Sequence, residues 1–334
     1  MKRRKGMKKA LILLLLAAFV LPVFADDALV MPKGVFRFWV APNYGMADKK
    51  FDDDGKKVDI DIPTVAVSDG VKFFNLALAL EYGVTDWITA AVQWVPGWTL
   101  WSTMGFDDVV IPGPTTLYLS QATLGSFGDL FVGAKVQIVG PKAPVQNSDM
   151  RFAAAAGVKV PMPGAGQINF PGDFLVNESV VMAEIDHHLW GMGVRLYYDY
   201  IINPNFFINL YNETILYPEQ KVKKSVNFGD DSKVAYGYDL TFELEPQYQM
   251  PLDNGIILKA GLPFTYAMAP ETKIDGTGQD NASYLFSIGP NVAAFFTKAF
   301  LPFELELQYK LPLMGKTSFA MHVVSLQGKF YLKF

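Results

Sequence analysis

From Tyr238 to Gln249 the side chains alternate. Tyr238, Leu240, Phe242, Leu244 and Tyr248 share one parity; Asp239, Thr241, Glu243, Glu245, Gln247 and Gln249 share the other. Successive side chains of a strand point to opposite faces, so the segment predicts a strand with one oily and one ionisable face. The pattern recurs. Phe303, Leu305, Leu307, Tyr309 and Leu311 oppose Glu304, Glu306, Gln308 and Lys310, and Leu258, Ala260, Leu262, Phe264 and Tyr266 oppose Lys259, Gly261 and Thr265. Phe74, Leu76, Leu78, Leu80 and Tyr82 oppose Asn75, Ala77, Ala79 and Glu81, and Trp190, Met192, Val194, Leu196 and Tyr198 oppose Gly191, Gly193, Arg195 and Asp199.

A soluble β-sandwich alternates too, so three further features decide the class. The oily faces end in aromatic residues while the opposite faces carry charge, which is the lipid-out, water-in arrangement of a membrane barrel with interfacial girdles. Short turns (84–86, 202–205, 251–255, 299–302) alternate with long polar loops (43–70, 218–236, 269–283), as periplasmic turns and outer loops do. The last strand places Val324, Leu326, Phe330, Leu332 and Phe334 on one face. Phe330, Leu332 and Phe334 have the form of the signal read by the barrel-assembly machinery. The expectation is an all-β, transmembrane, antiparallel up-and-down β-barrel of twelve strands, near 34–42, 71–83, 87–96, 128–140, 151–161, 188–201, 206–217, 237–250, 256–268, 284–298, 303–313 and 322–334. The stretch 163–187 has room for another pair, which leaves fourteen open.

Composition sharpens this. The chain is 51% hydrophobic and 14% aromatic, yet after Ala25 nothing approaches the roughly 20-residue apolar run of a membrane helix. Residues 1–9 carry six Lys or Arg and no acid, residues 10–20 are apolar, and Val23-Phe24-Ala25 suits signal peptidase. Residues 1–25 are therefore expected to be a cleaved Sec-type signal, with Met7 as an alternative start, and 26–334 a single barrel domain in the outer membrane of a diderm bacterium. Against 29 basic and 33 acidic residues in the whole chain, losing six cations leaves 23 and 33, a net of −10. That excludes a basic nucleic-acid footprint. With no cysteine there is neither a disulfide scaffold nor a thiolate metal site.

Several short motifs carry a resemblance. Residues 78–95 contain Tyr82-Gly83-Val84-Thr85-Asp86 in a turn between two strands. Phe127-Gly128-Asp129-Leu130-Phe131-Val132-Gly133-Ala134-Lys135 opens another strand, 158–164 ends one in Pro and Gly, and Tyr309-Lys310-Leu311-Pro312-Leu313-Met314-Gly315 lies near the end. In order and spacing these resemble the outer-membrane barrel transporters associated with meta-cleavage phenol degradation, within the FadL-like group of long-chain fatty-acid and hydrophobic-compound channels. The resemblance implies uptake of hydrophobic or aromatic compounds. The chain departs from fatty-acid channels in its N-terminal segment: about eight residues precede the first strand, too few for a separate plug.

Candidate chemistry is sparse. His187 and His188 are adjacent, so an extended chain points them to opposite faces, and His322 is remote; no metal site is expected. No nucleophile–His–acid motif is assigned, so no enzyme is expected. Asp52-Asp53-Asp54-Gly55 fails as a calcium loop because Lys50 falls where the first ligand belongs. The informative set is the inward charges: Glu81, Lys135, Arg195, Asp199, Asp239, Glu243, Glu245, Lys259, Glu304, Glu306, Lys310 and Lys329. They either fill and stiffen a narrow lumen or form a constriction that selects solutes. Two greasy stretches, 94–101 and 168–176, read as outer loops, with Trp94, Trp98, Trp101, Phe170 and Phe174 as a landing site for apolar solutes; the competing reading puts the tryptophans in the outer aromatic girdle.

The expectation is a passive channel for small hydrophobic or aromatic compounds, without cofactor, nucleotide-binding loop or nucleic-acid partner, working by capture at apolar loops and diffusion down a polar-lined barrel. Its partners would be outer-membrane lipids, small hydrophobic solutes and, during biogenesis, the assembly machinery. A structural or host-interaction barrel with a charge-filled lumen is the alternative from another class, and a narrow general porin is the third.

Overall fold

The computed structural model describes residues 27–62, 65–66, 70–111, 117–162, 167–169, 189–222 and 232–333. Twelve staves, named here in chain order, close a barrel. They are β1 (Val35–Ala47), β2 (Val71–Thr85), β3 (Ile88–Ile111), β4 (Leu117–Phe127 and Leu130–Gly140), β5 (Met150–Val160) and β6 (Gly191–Asn203). The others are β7 (Phe206–Tyr217), β8 (Gly237–Pro251), β9 (Ile256–Gly261 and Phe264–Ala269), β10 (Ser283–Ile288 and Asn291–Phe296), β11 (Phe303–Lys316) and β12 (His322–Lys333). Each is antiparallel to its neighbours, and β1 closes the ring: Phe36 pairs with Tyr82 of β2 and with Leu332 of β12. Closure satisfies every edge, which a sheet in lipid requires.

The alternation read from the sequence sets the two surfaces. Met192, Val194 and Leu196 are exposed on the outer wall, whereas Tyr197 and Asp199 are buried inside; along β8 Phe242 and Leu244 are exposed while Glu243 and Glu245 are buried. Staves β4, β9 and β10 are interrupted at Gly128-Asp129, Leu262-Pro263 and Gly289-Pro290. Proline donates no hydrogen bond, and the ladder is carried past these breaks by Gly128 N–H to Gly97 O (2.7 Å), Leu262 N–H to Pro246 O (3.1 Å) and Gly289 N–H to Pro263 O (2.8 Å).

Two expectations need correction. Residues 94–101 are not a loop: β3 runs through them to Ile111, and with the first part of β4 it forms a hairpin far longer than its neighbours. The loop expected from 43 begins later, because β1 continues to Ala47, and short strands form beyond it at Lys49–Phe51 and Lys57–Asp59. The segment before β1, though too short for a domain, lies inside the barrel. Most of 163–187 falls outside the described residues; Gln167–Asn169, within it, pairs with the upper part of β4 and adds no stave.

Candidate functional site

The wall of the lumen carries two belts of charge. On β9, β11 and β12, Glu304 sits between two ammonium groups, at 2.5 Å from Lys259 Nζ and 2.9 Å from Lys329 Nζ, and Lys329 also reaches Glu306 at 3.2 Å. Register explains the triad, since Glu304 and Lys329 are direct cross-strand partners and opposite charges at such positions attract. Next to it, Glu243 accepts a hydrogen bond from Thr265 (2.6 Å), and Glu245 accepts one from Asn291 (2.8 Å) and one from Asn209 (3.4 Å). Lys310 is buried on the same side.

The second belt spans β1 to β8. Arg37 pairs with Glu81 through Nη2 (2.5 Å) and Nε (2.8 Å). Arg195 is held by Glu213 and Gln93, and Arg151 meets Asp199 at 3.2 Å. Nearer the loop end, Lys159 contacts Asp129 (3.6 Å) and donates to Tyr217 (3.0 Å), while the Tyr217 and Tyr236 hydroxyls donate to Asp239 at 2.8 and 2.9 Å. Cations also lie over rings: Lys135 over Tyr197 and Arg195 over Phe131, both at 4.0 Å from the centroid. All twelve charges chosen by alternation are buried or half-buried. Arg37, Gln93, Asp129, Phe131, Arg151, Lys159, Glu213 and Tyr217 were not picked. Parity on their own strands marks most of them, but short or mixed strands such as 128–140 and 151–161 diluted the signal.

Residues 27–34 form a strap across the turn end of the lumen. Ala28 N–H donates to both Asp199 carboxylate oxygens (3.0 and 3.1 Å), Gln137 donates to Ala28 O (3.0 Å), Lys135 donates to Asp27 O (2.5 Å), and Met31 N–H donates to Thr89 (2.8 Å). At the other end of the strap, a Cβ built on Gly83 would lie 2.0 Å from Pro32 O. Only glycine admits so close an approach. The strap lies against staves β2 to β6. Beside it a cavity of about 600 Å³ remains at the turn end, lined by Arg151, Ile201, Phe207 and Gln249 among others.

Apolar clusters stand beside these charges at the loop end, where a polar lining was expected. Ala47, Val71, Leu285 and Val323 of the wall bury Phe51, Ile60, Phe319, Ala320 and Met321 from the loops, with Phe73 against them. Across the lumen, Leu189, Ile215, Tyr217, Tyr236 and Ala269 form a second cluster. The loops are clasped to one another, Thr317 donating to Asp53 Oδ1 (2.7 Å) and Ala320 N–H to Lys49 O (2.9 Å).

Trp94, Trp98 and Trp101 belong to β3. Trp98 is exposed on the outer wall, where Trp94 and Trp98 stack on Phe127 and Trp101 lies beside Phe74 and Tyr44. This is girdle geometry. Phe170, Phe174, His187, His188 and Phe334 lie outside the described residues. Phe330 is stacked beside Phe303, Leu332 is exposed, and His322 meets the Tyr309 hydroxyl at 2.7 Å.

No family model matches the sequence, and no curated protein matches it. Among solved structures, the COG4313 outer membrane channel from Pseudomonas putida F1 is similar at a TM-score of 0.62 and 18% identity, over 93% of this chain and 100% of that one. A Pseudomonas aeruginosa FadL homologue (TM-score 0.41, 11% identity, 94% of this chain and 93% of that one) and the P. putida toluene transporter TodX (0.41, 10%, 91% of each) are more distant. The chain has the closed twelve-stave barrel fold of the P. putida F1 outer membrane channel.

Proposed function

We propose that this protein is a passive outer-membrane channel for small hydrophobic or aromatic compounds, made with a signal peptide at 1–25 and a single barrel domain at 26–334. One observation carries the reading: the loop end of the lumen is packed with two clusters of buried apolar side chains, centred on Phe319 and Met321 and on Ile215 and Tyr217. A water-filled porin has a polar interior, whereas an apolar solute gains free energy on leaving water for such a lining, roughly 25 cal/mol per Å² buried. Beside it the charged belts of Glu304, Lys329, Lys259, Glu243 and Lys310 and of Arg37, Glu81, Arg195 and Glu213 narrow the path and select by size and polarity. The cavity beside the strap is the way out. The likeness to the P. putida F1 channel is compatible with this role, and the phenol-pathway association read from the motifs names aromatic compounds as the first solutes to try.

The test is influx into liposomes of toluene against arabinose. The native barrel is expected to accelerate toluene more than arabinose, and Phe319→Ser with Met321→Ser to lower that ratio. Equal acceleration of both solutes, unchanged in the variant, would refute the reading. The burial of Phe51 and Met321 together with the strap favours one other reading, a barrel closed at rest with a structural or host-interaction role. It predicts no conductance in planar bilayers.

A further inference from the structure

Gly133, Gly157 and Gly193 stand side by side on β4, β5 and β6, because Gly157 is in register with both others. None of the three has a positive φ, so backbone conformation does not call for glycine. What they provide is room. Interior positions of small barrels are ordinarily filled by side chains, but here the space over the three glycines is taken by the ring of Phe131, which is itself buried. A Cβ on Gly193 would lie 2.4 Å from Phe131 Cε2 and one on Gly157 2.6 Å from Cε1, Cζ and Val132 O, while one on Gly133 would meet Ala156 O at 2.5 Å and the ring at 3.1 Å. The Arg195 guanidinium lies over the ring, 4.0 Å from its centroid, and is itself fixed by Glu213 and Gln93. The ring is thus pinned against the wall by a cation–π contact. Beside it a cavity of only about 20 Å³, lined by Leu29, Gln93, Lys135, Tyr197 and Arg195, separates Phe131 from the strap. A strand side chain that is not laid flat stands roughly perpendicular to its sheet. A lifted Phe131 ring would therefore project from the wall toward the barrel axis.

We propose that Phe131 sets the bore of the lumen: seated on Gly133, Gly157 and Gly193 under Arg195 it leaves the path open, and lifted from that seat it closes it. This rests on the reading of the barrel as a channel, and it makes Phe131 the residue that fixes the size limit for the solute. Gly193→Val fills the seat and is expected to lower single-channel conductance severalfold, with Gly193→Ala lowering it less. Phe131→Ala is expected to widen the bore, shifting the exclusion limit in a series of neutral sugars and polyethylene glycols to larger probes. The double variant Phe131→Ala with Gly193→Val should recover conductance lost in Gly193→Val alone. All variants are compared as folded, heat-modifiable barrels.

An exclusion limit unmoved by Phe131→Ala overturns the proposal, as does a Gly193→Val loss that persists in the double variant. So does a barrel that conducts in no variant. If Phe131→Ala only lowers the unfolding midpoint, the ring is a packing lock. Because the size series uses polar neutral probes, it reads the bore even where toluene influx fails, and so separates this proposal from the solute assignment.

Discussion

The triad of Lys259, Glu304 and Lys329 offers the sharpest test of the lumen's electrostatics. Glu304→Gln keeps the shape of the side chain and removes the charge that both ammonium groups share. The carboxylate is 3% exposed, against 23% and 16% for the two lysines. Removing one member of a buried pair costs about 3–5 kcal/mol because the other charge is stranded; partial hydration of the lysines puts this site near the lower end, about 3 kcal/mol. Glu306→Gln is the internal comparison. Its ion pair among the described residues is with Lys329, at 3.2 Å, and its replacement leaves that ammonium bound to Glu304, so its loss is about 1 kcal/mol, that of a single hydrogen bond. Adding Lys259→Met to Glu304→Gln removes one stranded charge and is expected to restore part of the loss, the signature of charge rather than packing. The assay is reversible urea unfolding from lipid vesicles followed by tryptophan fluorescence. Equal midpoints for Glu304→Gln and Glu306→Gln, or no recovery in the double variant, would refute the reasoning and mark the lumen as fully hydrated at this level.

Other outcomes follow from the strap and the outer wall. Asp199→Ala removes the acceptor of Ala28 N–H, and Gly83→Ala drives a Cβ against Pro32 O; each is expected to speed amide exchange at residues 28–31 and to raise conductance. Protection unchanged in both variants would show that the strap is held elsewhere. Trp98→Ser with Trp101→Ser breaks the stacks on Phe127 and Phe74, and should cost about 1 kcal/mol per aromatic pair in bilayer-folded barrels. The same variant tests capture: if Trp98 and Trp101 form the landing site, toluene influx falls while arabinose influx does not, and a proportional loss of both removes that idea. Met321→Ala empties a fully buried position and is expected to lower stability by about 2–5 kcal/mol, as large-to-small core changes do, while raising conductance to ions at the loop end.

The barrel itself was plain in the sequence wherever a strand faces lipid on one side and charge on the other. Residues 238–249 and 303–311 announce β8 and β11, and parity alone assigns Glu243, Glu304 and Lys310 to the interior. Parity failed where it is interrupted. Val95-Pro96-Gly97 breaks the period before Trp98, so the rest of β3 reads as a loop, although pairing of Leu76 with Trp98 and Phe74 with Trp101 carries the strand on. The strap had no local signal at all. Residues 27–34 have neither period nor charge pattern, and what seats them is tertiary: Asp199, Gln137, Lys135 and Thr89 come from staves far along the chain. The apolar loop end was hidden for a similar reason, since Phe51 and Met321 flank polar turns and acquire neighbours only once the ring closes.

The length of β3 has a consequence for what the cell shows to its surroundings. At roughly 3.3 Å per residue a strand of this size extends about 80 Å, and a tilted crossing of the membrane takes only about 9–11 residues. The last register of β3 with β2 is at Met104, so 105–111, with its partner Leu117–Phe127, continues as a hairpin beyond the neighbouring stave. Antibodies raised against a peptide from 102–111 are expected to label intact cells, and no labelling would refute an outward-facing hairpin.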